Sequence, residues 1–503
     1  MVYVCAPTGS AAFSAGGETI HRLFGIRVNG ITENLTPRRR KKLLAKFSNI
    51  VVLIVDERSM LQSELLAVME AYSTQAVHNG LNTNKPWGHI PIILLVGDDF
   101  QLPPVNKGAF DSLVKVQEKI KQVDSVKSAA TNKRIQRGHH QFHEIGKKVM
   151  YLKAAHRQLP SQQRLARILK GVCGEDDKGL DDEDVQFLAE KFHLMSPHFT
   201  EEDRKELYKE AMFLFANRKP KQLLNNQKLC QIQSDDNPVA RIKSKTMTRF
   251  RKVVSNNSHY DNDSTSSILY ICIGSKVAIT GNNICPEWAL YNGAQGTVIE
   301  IVYNDGESPN NNDLPAYVLV EFSIYFGPVF DPKNKTLVPI VPFTVSCNKC
   351  QCCERTFIPL KLAFAKTSHT FQGQNAGPVA KGQPPNAVQR IIVDPGTRQF
   401  EGQNPGLFYT ILSRITTLGD DDDTTPEEKR YKNSAIYFIG NNMNQDRIKN
   451  ITRQKSGEKY ANVVKRERWV RYLKDHEIRC TLSPEVTTNL FNWANTEKFH
   501  TNS

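Results

Sequence analysis

No apolar run in this chain is long enough to cross a bilayer as a helix. The most hydrophobic stretches, residues 50–55 and 90–96, fall far short of the roughly 20 residues such a helix needs. There is no charged leader followed by an apolar stretch at the N-terminus, so no secretory signal is visible. Cysteine is sparse: ten in 503 residues, mostly scattered, which suits a reducing compartment better than a disulfide framework. An acidic surplus is absent as well. The balance is 66 Lys+Arg against 52 Asp+Glu, a net +14, which favours a polyanionic partner through counterion release. At 503 residues the chain is too long for one core, so two to four domains are expected.

What is present is a rhythm of strands and helices. Residues 2–5 read as a short strand, followed by a Gly-containing turn and a helix-like stretch over 11–24. Residues 50–55 and 90–96 read as two more strands, each ending in acidic residues. That pattern predicts a parallel α/β sheet with ligand groups at the C-terminal ends of its strands. Residues 151–216 read as mainly helical, broken by the acidic loop 175–184. Residues 219–267 are polar and finish in a Ser-, Asn- and Asp-rich linker. Short alternating strands at 276–280, 297–302 and 317–322, separated by turns such as Asn292-Gly293, predict a small β-barrel inserted in a larger α/β domain. The α/β character returns at 360–365, 390–393 and 435–439, and the tail from 441 is polar with a basic helical stretch at 463–474. No internal repeat is visible.

The chemistry starts at Val55-Asp56-Glu57. A β-branched apolar strand ending in two carboxylates is a Walker B arrangement, in which Asp56 would hold Mg²⁺ and Glu57 would deprotonate the attacking water. A strand capped by a solvated turn would read the same way. The next strand runs into Gly97-Asp98-Asp99-Phe100-Gln101-Leu102-Pro103-Pro104-Val105. Two such strands about 40 residues apart in one sheet would aim their ends into one cleft, where Gln101 can bond both a γ-phosphate and the attacking water.

With these residues the chain resembles the superfamily-one helicases of the petite-integration-frequency type, with the bacterial RecD helicase more distant. Ala6-Pro7-Thr8-Gly9-Ser10-Ala11-Ala12 and Thr19-Ile20-His21-Arg22-Leu23-Phe24-Gly25 are similar to the family's first single-strand-binding motif. Asp56-Glu57-Arg58-Ser59-Met60 is similar to its Asp-Glu-Ile-Ser-Met, and residues 97–105 to its γ-phosphate sensor. Arg157-Gln158 resembles the motif opening the second motor domain, and Asn292-Gly293-Ala294-Gln295-Gly296-Thr297-Val298 resembles part of an inserted SH3-like barrel. Ala365-Lys366-Thr367-Ser368-His369-Thr370-Phe371-Gln372-Gly373-Gln374 and Tyr409-Thr410-Ile411-Leu412-Ser413-Arg414 resemble the last two. The motifs come in the family's order over roughly residues 4 to 420.

The resemblance implies two RecA-like P-loop NTPase motor domains with parallel sheets. Residues 1–150 would form the first, and 151–267 with 346–440 the second. An SH3-like β-barrel would be inserted at 268–345, with a polar, basic extension at 441–503. It also implies ATP and Mg²⁺ as cofactors and single-stranded DNA and DNA junctions as partners, with no membrane. Further implications are 5′-to-3′ movement, roles in repair, recombination or telomere maintenance, and an intracellular location in nucleus, mitochondrion or both. Arg157 and Arg414 suit the γ-phosphate, because guanidinium grips phosphate in a charged fork; Arg157 alone would also fit a surface salt bridge. Asp56, Asp98 and Gly373 would line the nucleotide. Pro7, Thr8, Gly9, His21, Thr367 and His369 offer contacts to a sugar-phosphate strand, though each also fits a cap or a satisfied buried group.

The departures from the family are specific. The Gly-x-x-Gly-x-Gly-Lys-Ser/Thr phosphate loop normally lies about 25 residues ahead of the Ala-Pro-Thr-Gly motif, and no Gly-Lys-Ser/Thr occurs anywhere in the chain. The expectation is an N-terminally incomplete helicase with poor or no hydrolysis as it stands. The alternatives are a catalytically dead relic that binds nucleic acid, or a fragment of a mobile-element helicase. Arg58 replaces an apolar residue, Asp99 the usual aromatic, and Thr370-Phe371 the usual Lys-Ser. Cys347, Cys350, Cys352 and Cys353 could hold zinc, but a reduced surface cluster is the preferred reading, since zinc sites use separated pairs. The acidic run 420–423 reads as a solvated loop.

Overall fold

The structure is a computed structural model. It describes residues 1–26, 34–77, 85–104, 129–152, 157–173, 180–248, 267–281, 284–346, 353–379, 386–404, 406–419, 430–441, 443–452, 474, 475 and 477. Cys347, Cys350, Cys352, Val105 and the acidic run 420–423 lie outside the described residues. Among the described residues no helix is long and apolar enough to cross a membrane.

The first unit contains β1 (Val2–Ala6), α1 (Gly9–Ser14), β2 (Glu18–Thr19), α2 (Ile20–Phe24), α3 (Pro37–Phe47), β3 (Val52–Val55), α4 (Ser63–Val77), β4 (Ile92–Leu95) and α5 (Ala129–Ile145). Its sheet has the order β2-β1-β3-β4 and is parallel throughout. Tyr3, Leu53 and Ile93 share one face with Cys5, Val55 and Leu95, and that face packs on α3, α4 and α5 through Phe47, Leu66, Met69 and Phe142. On the opposite face Val2, Ile92 and Leu94 stay exposed. The helix-like stretch 11–24 is in fact two helices. Gly17 breaks it: a Cβ there would lie 2.2 Å from the Val4 carbonyl oxygen, so only glycine lets the chain run against β1 and add β2 to its edge.

The second unit opens with α6 (Gln163–Cys173), α7 (Asp182–Glu190) and α8 (Glu201–Glu210). It continues with β5 (Met212–Phe215) and α9 (Arg218–Ile232). The segment 151–216, read from sequence as mainly helical, therefore ends in a strand. All four residues of β5 are buried, and a strand buried on both faces has no polar alternation to betray it.

An antiparallel region interrupts this unit. It comprises β6 (Ala240–Lys243), β7 (Lys245–Thr248), β8 (Ile268–Ile271), β9 (Lys276–Ile279), β10 (Gln295–Val302), β11 (Tyr317–Phe322), β12 (Leu337–Ile340), β13 (Phe343–Ser346), β14 (Cys353–Phe357) and β15 (Leu360–Leu362). The main sheet is β12-β11-β10-β9-β15; β13-β14-β7 and β6-β8 are smaller sheets beside it. Cys353 is buried within β14 and so does not sit on the surface as the cysteine-cluster reading has it.

The parallel sheet then resumes with β16 (Ala365–Thr367), α10 (Ser368–Phe371), β17 (Ile391–Asp394), α11 (Arg398–Gln403), α12 (Leu407–Ser413), β18 (Ile436–Phe438) and α13 (Gln445–Thr452). Its order is β16-β5-β17-β18. The strand expected over 360–365 is thus two: Leu360–Leu362 pairs antiparallel with β9, and Ala365–Thr367 pairs parallel with β5. The antiparallel region docks on both units. Phe13 of α1 stacks on Tyr291 at 5.0 Å and Arg22 meets Glu287 at 3.4 Å. From the other side, the Lys366 ammonium donates to the Gly293 carbonyl at 3.3 Å and to Gln374 Oε1 at 3.1 Å.

Candidate active site

Two strand ends build the first wall. β3 ends at Val55, and Asp56 and Glu57 occupy the turn beyond it. Glu57 has φ +51, a left-handed conformation uncommon for a side-chain-bearing residue. Its amide donates to Asp56 Oδ1 at 2.8 Å. Beyond β4 the chain comes back to this turn, with the Arg58 amide donating to the Val96 carbonyl at 2.9 Å. Gly97 makes that approach possible, because a Cβ there would sit 2.7 Å from the Arg58 nitrogen. Arg58 and Asp99 form an ion pair across the same junction. Within the loop, Asp98 Oδ1 accepts from the Phe100 amide at 2.9 Å and Oδ2 from Gln101 Nε2 at 3.2 Å.

The second unit supplies the facing wall, chiefly from α12. Arg414 Nη2 donates to Glu57 Oε1 at 2.7 Å and also to Gln101 Oε1. Tyr409 donates its hydroxyl proton to Asp98 Oδ2 at 2.8 Å, and Thr410 Oγ1 accepts from the Leu102 amide at 2.8 Å. Gln372 Nε2 lies within 3.2 Å of Ser59 Oγ, 3.3 Å of the Leu102 carbonyl and 3.4 Å of Gln101 Oε1. Arg157 Nη1 donates to the Ser413 carbonyl at 2.8 Å, beside the arginine that follows it. Glu57, Gln101 and Arg414 are all buried.

Burial sets the electrostatics. It raises the Asp56 carboxyl pKa, and the neighbouring Glu57 charge adds to the rise. Arg157 is pulled down to about 10, first by burial and then by the positive charge of Arg414. Two buried atoms are left without a hydrogen-bond partner at the centre of the cleft, Glu57 Oε2 and Arg414 Nε. The structure therefore brings Glu57, Gln101, Asp98, Arg157 and Arg414 into one cleft, with Asp56 on its floor. Tyr409, Thr410 and Ser59 were not singled out from sequence. Their signal was there, since two lie in the quoted Tyr-Thr-Ile-Leu-Ser-Arg stretch and one in Asp-Glu-Arg-Ser-Met.

The candidate strand contacts lie nearby. Thr8 caps α1: its Oγ1 accepts from the Ala11 amide at 3.2 Å and is 3.3 Å from Ser10 Oγ. Pro7 and Gly9 flank it, partly exposed. Thr367 ends β16 with its hydroxyl 3.2 Å from that of Thr370. His21 and His369 both have pKa values lowered by burial, His369 also by Arg218. Gly373, at φ +84, packs on α1, where a Cβ would be 3.2 Å from Ala11 Cβ and Ser10 Oγ. So the segment running from Thr367 to Gly373 reaches the segment capped by Thr8.

Two parallel α/β units meeting at a shared cleft, with carboxylates and glutamine on one side and arginine on the other, have the RecA-like α/β fold. Residues 1–142 match the family described as PIF1-like helicase. It is 42% identical over 109 residues to the ATP-dependent DNA helicase PIF1 of Saccharomyces cerevisiae, covering 21% of this chain and 12% of that protein. To the ATP-dependent DNA helicase RRM3 of the same species it is 36% identical over 117 residues, 23% of this chain and 16% of that protein. These alignments span less than a fifth of those relatives' own lengths. The fold matches Pif1 helicase from Bacteroides in complex with ADP-AlF3 and single-stranded DNA at a TM-score of 0.56 and 18% identity, over 93% of this chain and 87% of that one.

Proposed function

We propose that this chain is the motor of an ATP-dependent DNA helicase that moves 5′-to-3′ along single-stranded DNA. Its work would lie at DNA junctions, in repair, recombination or telomere maintenance. The observation that carries the reading is Arg414 reaching from the second unit onto both Glu57 and Gln101 of the first. A guanidinium that touches the base and the sensor only while the units are together makes closure a condition of hydrolysis.

The residues present fit magnesium-ATP. One unpartnered carboxylate oxygen and one unpartnered guanidinium N–H, both buried, are an acceptor and a donor held ready for a ligand carrying a cation and an anion. Asp56, whose carboxyl is raised by burial, is the group a cation would stabilise as carboxylate. When bound, the ion and nucleotide supply the phosphoryl group and the charge that balances it. Glu57 takes the proton of the attacking water, Gln101 orients that water, and Arg157 and Arg414 hold the negative charge that develops. Asp98 and Gly373 line the same pocket. Pro7, Thr8, Gly9, His21, Thr367 and His369 hold the DNA strand, from both motor units. The division at 1–150, 151–267 with 346–440, 268–345 and 441–503 belongs to the same proposal, as does the SH3-like character of the insert.

No Gly-Lys-Ser/Thr loop occurs in these 503 residues, so the test uses a chain carrying such a loop upstream. With ATP and Mg²⁺ it unwinds a duplex bearing a 5′ single-stranded tail and leaves a 3′-tailed duplex intact. Unwinding of the 3′-tailed duplex alone overturns the direction. Failure on both, with no DNA-stimulated hydrolysis, overturns the motor reading.

A further inference from the structure

The sensor loop of the first unit is held from the second unit at three points by one short helix and its cap. Tyr409 bonds Asp98 at the start of the loop, Thr410 accepts from the Leu102 amide at its end, and Arg414 bonds Gln101 between them. Asp98 is the hub of this arrangement. Its Oδ1 accepts from the Phe100 amide, which shapes the loop. Its Oδ2 accepts from two donors, Gln101 Nε2 at 3.2 Å and the Tyr409 hydroxyl at 2.8 Å.

These bonds fix the direction of the Gln101 amide. Its nitrogen end has an acceptor in Asp98, while its oxygen end faces donors from Arg414 and Gln372. Turned over, the amide would set its NH₂ against two other N–H donors and its oxygen against a carboxylate, which the donor and acceptor inventory forbids. Asp98 holds the nitrogen end of this amide, as Arg414 and Gln372 hold its oxygen end. Asp98 is in turn tied to the opposite unit by a phenol whose ring also packs edge-on to Phe100 at 5.9 Å.

We propose that Tyr409 is a positioning residue that sets the orientation of Gln101 through Asp98, so that closure of the two units aligns the sensor for its water. The proposal rests on the motor reading for its catalytic consequence and stands on geometry alone for the positioning. Tyr409→Phe keeps the ring against Phe100 and removes the hydroxyl that reaches Asp98. Thr410→Val removes the acceptor at the other end of the loop.

Two measurements test this. In the 503-residue chain, hydrogen exchange of the sensor-loop peptide around residues 97–104 rises about tenfold in Tyr409→Phe, the order expected for losing one hydrogen bond to a charged group. Exchange in β3 and β5 stays unchanged, which general loosening would not allow. In the loop-bearing chain, Tyr409→Phe lowers the DNA-stimulated kcat about tenfold and leaves KM for ATP as in wild type, because orienting water acts on the transition state and not on nucleotide binding. Thr410→Val speeds exchange of the Leu102 amide with a smaller effect on kcat. Unchanged sensor-loop exchange in Tyr409→Phe overturns the positioning role. A raised KM with unchanged kcat overturns the coupling to Gln101. Absence of DNA-stimulated hydrolysis in the wild-type loop-bearing chain, with the exchange result intact, counts against the motor reading only.

Discussion

Arg58 and Asp99 are bonded to each other, Nη2 to Oδ2, across the junction between the carboxylate turn and the sensor loop, although 41 residues separate them. From sequence each counted as an independent departure from a family that carries an apolar residue and an aromatic at those positions. In the structure they are the two partners of one ion pair. Arg58 also lies over the Phe142 ring at 5.8 Å, so its charge is covered on a second side.

The pair is nearly inaccessible, with side-chain exposures of 14% and 6%, so removing one partner strands a charge. Asp99→Ala is expected to cost about 3 kcal/mol in urea unfolding. The double replacement Arg58→Met with Asp99→Phe is expected to cost much less than the sum of the single changes, and a double-mutant cycle measures that coupling. Additive single effects would show that the two residues act separately.

Lys366 gives a pH signature. Burial, and then the charge of Lys361, bring its ammonium from the ordinary 10.5 down to about 7. Between about pH 7 and 10.5 the unfolded chain keeps a proton there that the folded chain has released, so this group makes stability rise with pH across that window. Below pH 7 both states are protonated and the burial penalty is constant. Lys366→Met removes the dependence. The stability of wild type relative to Lys366→Met should therefore climb from pH 7 to 10, as urea midpoints at successive pH values would show. A difference that stays flat with pH would mean that Lys366 keeps its charge when buried.

At the two candidate strand-contact segments, a DNA contact can be separated from structural work. Thr8 caps α1, so Thr8→Ala loses about 1 kcal/mol of stability as well as any DNA contact, whereas Thr8→Asn keeps a capping side chain. His369→Ala has no cap to lose. His369→Ala is expected to weaken binding of an oligo-dT strand by about fivefold to twentyfold in fluorescence anisotropy, with Tm little changed. Wild-type affinity should fall steeply with salt. Salt-independent binding would rule out a phosphate-tracking groove.

The parallel sheets were legible where apolar runs ended in carboxylates, as at Val55-Asp56-Glu57 and around Asp98. They were not legible at Met212–Phe215, where four buried residues directly follow a helix and show no alternation of their own. The antiparallel strand at Tyr317–Phe322 could be read from its alternation and its flanking turns. The split of residues 360–365 between two sheets could not, because the pairing partner of a strand is not written in the strand. The cleft follows the same division. Charged and polar residues at strand ends announce themselves, so Glu57 and Gln101 were named; Arg414, which caps α12, was named from the resemblance of residues 409–414. Tyr409 and Thr410 lie in the quoted Tyr-Thr-Ile-Leu-Ser-Arg stretch, but their bonds run to residues more than 300 positions away, and the stretch does not name those partners.

The most direct test of the account is ATP hydrolysis by Glu57→Gln in the loop-bearing chain, with single-stranded DNA present. Glutamine keeps the size of the side chain and an oxygen for Arg414 but cannot accept the proton of the attacking water. The account predicts a fall in kcat of about a thousandfold, with DNA binding retained. Hydrolysis at the wild-type rate in Glu57→Gln would contradict the assignment of the base, and with it the reading of this cleft as the place where ATP is cut.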